Sequence, residues 1–179
     1  TSIFDEFMET NMLWDMALKT QSNKKVENKF LKSKLQKELI VKIKEFVSKS
    51  TFPLAIRSSS LMEDSQYQPL AGMYATYMLP NSHNDLKERT NQICEAIKRV
   101  YASTFFQDPK TLMENITHKH ENEKMAIIIM EMVGKKNGNL FYPTISGVAQ
   151  SYNYYPVSHM KRNEGVAFIA LGLGRTIAD

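Results

Sequence analysis

Residues 53–79, PLAIRSSSLMEDSQYQPLAGMYATYML, decide how the chain is read, because the hydrophobic period changes here from helical to extended. Pro53 opens a short apolar run ending in Arg57, and a missing amide is tolerated at the first position of a strand. After a polar, glycine-bearing loop, Met73, Ala75, Tyr77 and Leu79 alternate with Tyr74, Thr76 and Met78, the period of a strand with two different faces. Two strands joined through a loop that begins Arg57-Ser58-Ser59-Ser60 are therefore expected.

Upstream, SIFDEFMETNMLWDMALK carries Phe4, Phe7, Met8, Leu13 and Trp14 in a helical pattern, and Ser2 with Asp5 reads as a capping box. Nine lysines fall between Lys24 and Lys49, interleaved with Val26, Phe30, Leu35, Leu39, Ile43 and Val47 at helical spacing. Most of the lysines then lie on a wet face. The run lacks arginine and a stacking platform beyond Phe30 and Phe46, so a nucleic-acid partner is not expected despite a net charge of +4 and a pI near 9.0.

Downstream, Leu86, Ile93, Ile97 and Val100 mark an amphipathic helix from Asn84 to about Phe105, and Asp108-Pro109 starts a further short one. MAIIIMEMV reads as a central strand and the most buried one, followed by a turn from Gly134 to Asn139 that contains Asn137-Gly138. LFYPTISGVAQSYNYYP and GVAFIALGLG are two more extended segments, the first carrying Tyr152, Tyr154 and Tyr155 on a half-exposed strand. Strands and helices do not alternate as in a doubly wound fold. The expected class is α+β, a mainly antiparallel sheet with flanking helices.

No apolar run approaches the roughly 20 residues a bilayer span needs, and the acidic opening is unlike a secretory signal, so a cytoplasmic location and no membrane partner are expected. The single cysteine, Cys94, lies on the apolar face of its helix and reads as core. His118 and His120 with Glu121 and Glu123 lack a second cluster at structural-site spacing and read as a solvated loop, as does His159; no metal site is expected within the chain.

Arg57 offers five fixed donors suited to bridging phosphate oxygens, and Ser58, Ser59 and Ser60 can add neutral donors around the same anion. Gly72 allows backbone to approach a ligand, and Thr76 adds a hydroxyl. The plainer alternative pairs Arg57 with Glu63 or Asp64 in a polar turn.

PLAIRSSSLMEDSQYQPLAGMYATYML also resembles the VAVRSSATAED…FAGQ…TYL segment of the N-terminal nucleotide-binding domain of phosphoenolpyruvate synthase, pyruvate phosphate dikinase and related ATP-dependent phosphotransferases. IKRVYASTFFQDP is similar to the family helix I..CWASLF, MAIIIMEMVGKKNGN to its VAVVVQ.MV strand and hinge, SGVAQS to SGV.FT, and ALGLGRTIAD to GLGE.VV.G. Order and approximate spacing match from about Ile3 to Asp179.

The resemblance implies an ATP-grasp-like N-terminal subdomain, with residues 1–179 part of such a domain in a larger multidomain enzyme. It implies ATP phosphates at Arg57, Ser58, Ser59, Gly72 and Thr76, and an adenine hinge at Met130, Glu131, Met132 and Val133. ATP and Mg²⁺ are the implied ligands, with the metal-binding glutamate and glutamine beyond Asp179 and the family lysine before the first residue. Partners would be a phosphohistidine carrier domain and a pyruvate-binding domain of the same chain, so no catalytic residue is expected in these residues alone. Met130 replaces the usual Gln, removing one polar contact, and Arg175 replaces the family's glutamate. Two alternatives remain open here: the same ATP module serving another acceptor, and a non-catalytic interaction module on this fold.

Overall fold

The computed structural model describes residues 2–60, 63, 72–114 and 124–173. Two compact units divide the chain, Thr1–Met132 and Val133–Asp179. The α+β reading holds, with every strand pair antiparallel.

The first unit begins with α1 (Ser2–Thr10) and α2 (Trp14–Lys19), where a single helix was expected. Met12 breaks it in a left-handed conformation (φ 50°), and the Asn11 amide donates to the Phe7 and Lys34 carbonyls while its oxygen accepts from the Lys34 amide. Nor is the capping box formed as expected: Ser2 is already helical, and the Asp5 carboxylate accepts from Lys124 at 2.5 Å. The lysine-rich segment is likewise two helices, α3 (Asn23–Lys32) and α4 (Lys37–Lys49), because Ser33 turns extended at the end of the first.

Their apolar stripes meet α5 (Leu86–Ser103), which opens with the Asp85 carboxylate accepting from the Lys87 amide. Phe4, Phe7, Phe30, Tyr101 and Phe105 stack in the centre, fully or almost fully buried, with Trp14 edge-on to Phe4 and Phe105. Burial pushes the Tyr101 hydroxyl up to about 12 and raises the Cys94 thiol, which Lys98 lowers only in part. Cys94 is buried and unpaired, the core residue its position implied. The short helix α6 (Gln107–Glu114) starts slightly ahead of the expected Asp108 cap. Lys110 ties it to α2, its ammonium donating to the carbonyls of Ala17 at 2.5 Å and Thr20 at 2.7 Å; burial lowers its pKa.

One sheet completes this unit, in the order β2 (Tyr77–Leu79), β1 (Leu54–Ser60), β3 (Met125–Glu131). Three expectations change here. β1 does not give way to a loop at Arg57 but runs on through Ser58, Ser59 and Ser60, each paired with β3. MYATYML forms a strand only at its last three residues, because the Ala75 amide donates to the Ser103 hydroxyl of α5 and not to a strand. β3 is not the central, most buried strand. Among the described residues it pairs only with β1, and Ile128 and Met130 are 46% and 44% exposed. A continuous apolar run states that both faces could be buried; it does not state that both are covered.

The second unit holds a hairpin of β4 (Lys135–Asn137) and β5 (Leu140–Tyr142) that turns at Gly138-Asn139, so half of the segment expected as a turn is strand, and a pair of β6 (Ile145–Gln150) with β7 (Val166–Leu171). The Gly147 position admits no side chain, since a Cβ there would lie 2.3 Å from the Phe168 carbonyl oxygen across the pair. Tyr152, Tyr154 and Tyr155 follow β6 in a loop and not on a strand, with Tyr152 and Tyr154 edge-to-face at 5.0 Å. His159 is exposed in the same loop, as expected. His118, His120, Glu121, Glu123 and Arg175 lie outside the described residues.

The aromatic cluster predicts a steep cost for its central ring: Phe105→Ala should lower the unfolding free energy by about 3–5 kcal/mol. Urea denaturation should show this as a lower midpoint at unchanged slope.

Candidate functional site

β1 is apolar on one face only. Leu54 and Ile56 are fully buried toward α5, so the alternation of an extended chain sends Ala55, Arg57 and Ser59 to the opposite face. Pairing aligns Met78 and Met130 with Ala55, and Ile128 with Arg57. Residues directly opposite share a face. This face therefore carries Met78, Met130 and Ile128 around one guanidinium, and Met78 is 59% exposed.

Arg57 is exposed and makes no ion pair among the described residues, so the alternative pairing with Glu63 is not formed; Asp64 lies outside those residues. Glu63 instead binds the serines of the inner face. Ser58 donates to Glu63 Oε1 at 3.1 Å, and the Glu63 amide donates to Ser60 Oγ at 3.2 Å. Both serines are buried, whereas Ser59 is half-buried on the Arg57 side. The run of three serines thus divides by parity: Ser58 and Ser60 anchor the turn that leaves β1, and Ser59 shares the face of Arg57.

Thr76 precedes β2 by one residue and is exposed. The pairing of β1 with β2 ends at Ile56 and Tyr77, and the residues next along the chain from that pair are Arg57 on β1 and Thr76 ahead of β2. The Ser103 hydroxyl, 3.0 Å from the Ala75 amide, holds that approach to the sheet. Gly72 is an exposed turn residue at φ +76°, and a Cβ there would meet nothing within 4 Å. Its glycine answers to backbone conformation and not to crowding.

At the other end of β3, the Met132 amide donates to the Pro53 carbonyl at 2.8 Å. Antiparallel pairs alternate between bonded and non-bonded residues, so Glu131, one step earlier, turns its own amide and carbonyl away from β1. The Glu131 carboxylate accepts from the Ser50 hydroxyl at 2.6 Å. Met130 and Glu131 end the strand, Met132 ends the first unit, and Val133, 86% exposed, opens the second.

The family described as pyruvate phosphate dikinase, AMP/ATP-binding domain, matches residues 2–179. The chain belongs to that family. Its members' domain binds adenine nucleotide in enzymes of the kinase type, and the match runs through both units. A comparison with curated proteins gave no match. No helix among the described residues is long and apolar enough to cross a membrane.

Ile128, Met78 and Ser103 entered the picture only with the structure. Ile128 was within reach of the sequence, because it stands two residues before Met130 and must share its face in any strand. Ser103 carried no signal, being one more small residue on a helix. No group of three or more His, Cys, Asp or Glu side chains among the described residues could hold a metal ion.

The division of the serines predicts opposite consequences for neighbouring substitutions. Ser58→Ala removes the donor to a partly buried carboxylate whose other oxygen already lacks a partner, and should cost about 1–3 kcal/mol of stability. Ser59→Ala should stay within about 0.5 kcal/mol. Thermal denaturation of the two variants side by side measures the difference.

Proposed function

We propose that this chain is the ATP-gripping, ATP-grasp-like part of a longer cytoplasmic phosphotransferase, which passes a phosphoryl group from ATP to a histidine of a carrier domain and on to pyruvate bound by another. The observation that carries this reading is the exposed sheet face, where the Arg57 guanidinium, without an ion pair among the described residues, stands among exposed Met and Ile side chains. An adenine nucleotide has the matching chemistry, a flat apolar base joined to a polyanion.

In this reading Arg57 bridges phosphate oxygens, with Thr76 and Ser59 as neutral donors beside it and Gly72 shaping the loop that returns to them. Ser58, which the family pattern also assigns to the phosphates, acts from behind by anchoring the turn through Glu63. The adenine lies toward Met130, Glu131, Met132 and Val133. Outward backbone groups of Glu131 read its edge, and the Met130 and Ile128 side chains pack on its ring. The Met132 amide is already committed to Pro53 and does not contribute.

Phosphoryl transfer passes through a loose, highly charged transition state, so catalysis is mainly positioning and charge stabilisation. Arg57 supplies both at the oxygens it holds. Mg²⁺ in such enzymes neutralises charge between phosphates. Among the described residues this face has no carboxylate at its paired positions, and the resemblance to the family assigns the metal's ligands to residues outside this chain.

Titration calorimetry of Mg-ATP tests the reading. Arg57→Ala should weaken binding about tenfold to a hundredfold, the worth of one charge-assisted contact, at unchanged melting temperature. A lower melting temperature with unaltered affinity would make Arg57 structural and overturn the proposal.

A further inference from the structure

We propose that Ser50 is a positioning residue for base recognition, holding the end of β3 through Glu131 so that the outward backbone groups of Glu131 are aimed before a nucleotide arrives. This rests on the nucleotide reading given above. Ser50 follows α4, is 4% exposed, and belongs to a polar joint between the end of α4 and the start of β1.

The joint fixes Ser50 from several sides. Its amide donates to the Phe46 carbonyl at 3.0 Å. Its carbonyl accepts from Asn81 Nδ2 and from Arg89 Nη1, both at 3.1 Å. Arg89 Nη1 also reaches the Val47 carbonyl at 3.1 Å and Asn81 Oδ1 at 3.3 Å, while Asn81 Nδ2 donates to the Phe52 carbonyl at 2.9 Å. Asn81 is itself 4% exposed and sits at φ +51°, a conformation that Asn tolerates better than most residues. Two side chains, Asn81 and Arg89, thereby hold the carbonyls of Val47, Ser50 and Phe52 together.

Only the Ser50 hydroxyl is left to act outward, and it donates to Glu131 across 81 positions of sequence. Together with the Met132 to Pro53 bond it makes two anchors at adjacent residues, one through a side chain and one through backbone. A strand end whose last residues are exposed frays first unless such contacts hold it. Because Glu131 faces away from β1, its amide and carbonyl are not needed for the sheet. Their direction matters only for something lying against that edge. Fixing them in advance removes an ordering cost from binding.

The experiment compares ATP and GTP, which share their phosphates and differ at the base edge. Dissociation constants of both Mg complexes are measured by calorimetry on the chain and on Ser50→Ala, Ser50→Thr, Glu131→Ala and the Ser50→Ala/Glu131→Ala double variant. Wild type should prefer ATP. Ser50→Ala should weaken ATP about threefold to tenfold with little change for GTP, and Ser50→Thr should restore the preference. Glu131→Ala should reproduce the loss, and the double variant should add nothing further. Because Glu131 is exposed, Glu131→Ala carries the same comparison should Ser50→Ala not fold. Equal weakening of ATP and GTP, an unchanged ATP affinity, or a wild type without base preference would overturn the inference while leaving phosphate gripping intact. A wild type that binds neither nucleotide would overturn the nucleotide reading, and this inference with it.

Discussion

Leu54 and Ile56 must meet the helices, and in an extended strand that requirement sends Arg57 the other way. The remaining architecture of the first unit follows from satisfying it. α5 covers the inner face, the aromatic cluster fills the space behind, and the antiparallel register brings Met78, Ile128 and Met130 to the face that stays open. The guanidinium therefore reaches solvent without any loop having to carry it there. A charged side chain on a central strand costs little when its face is exposed, whereas on the inner face it would lose its hydration.

Around that sheet, side-chain hydrogen bonds lie at three of the places where a strand begins or ends. The Ser103 hydroxyl takes the Ala75 amide ahead of β2, Glu63 clasps Ser58 and Ser60 at the exit of β1, and Ser50 reaches Glu131 at the end of β3. Apart from Arg57, which is paired in mid-strand, the groups proposed to touch nucleotide lie at or next to strand ends, where backbone groups become free to face a ligand. Rigid anchors one residue away let such positions be both unpaired and ordered. The cost is a set of imperfectly satisfied atoms, among them Arg89 Nε and Glu63 Oε2, which lie buried without a hydrogen bond.

Much of this was legible beforehand. Helical stripes at Phe4, Phe7 and Met8, at Val26 and Phe30, and at Ile93, Ile97 and Val100 all enter the core, because periodic burial leaves a periodic trace. The motif around Arg57 pointed to the family that the comparison returned. Breaks were harder to see. Met12 and Ser33 interrupt helices through local conformation and capping; Met is not a residue that punctuates a sequence, and a lone Ser within a lysine-rich run is a weak signal. The sheet edge was misjudged for a different reason: MAIIIME is apolar throughout, and composition cannot tell a strand buried on two faces from one whose second face stays open.

By itself, the order of residues determined the fold class, the family and the candidate cation, since these depend on period, composition and motif, all local in the chain. Only tertiary structure decided which serine stands with Arg57, which strand is central, and that Ser50 touches Glu131. Those facts depend on pairing register and on contacts across 81 positions, and register is set by which faces the packed helices leave uncovered.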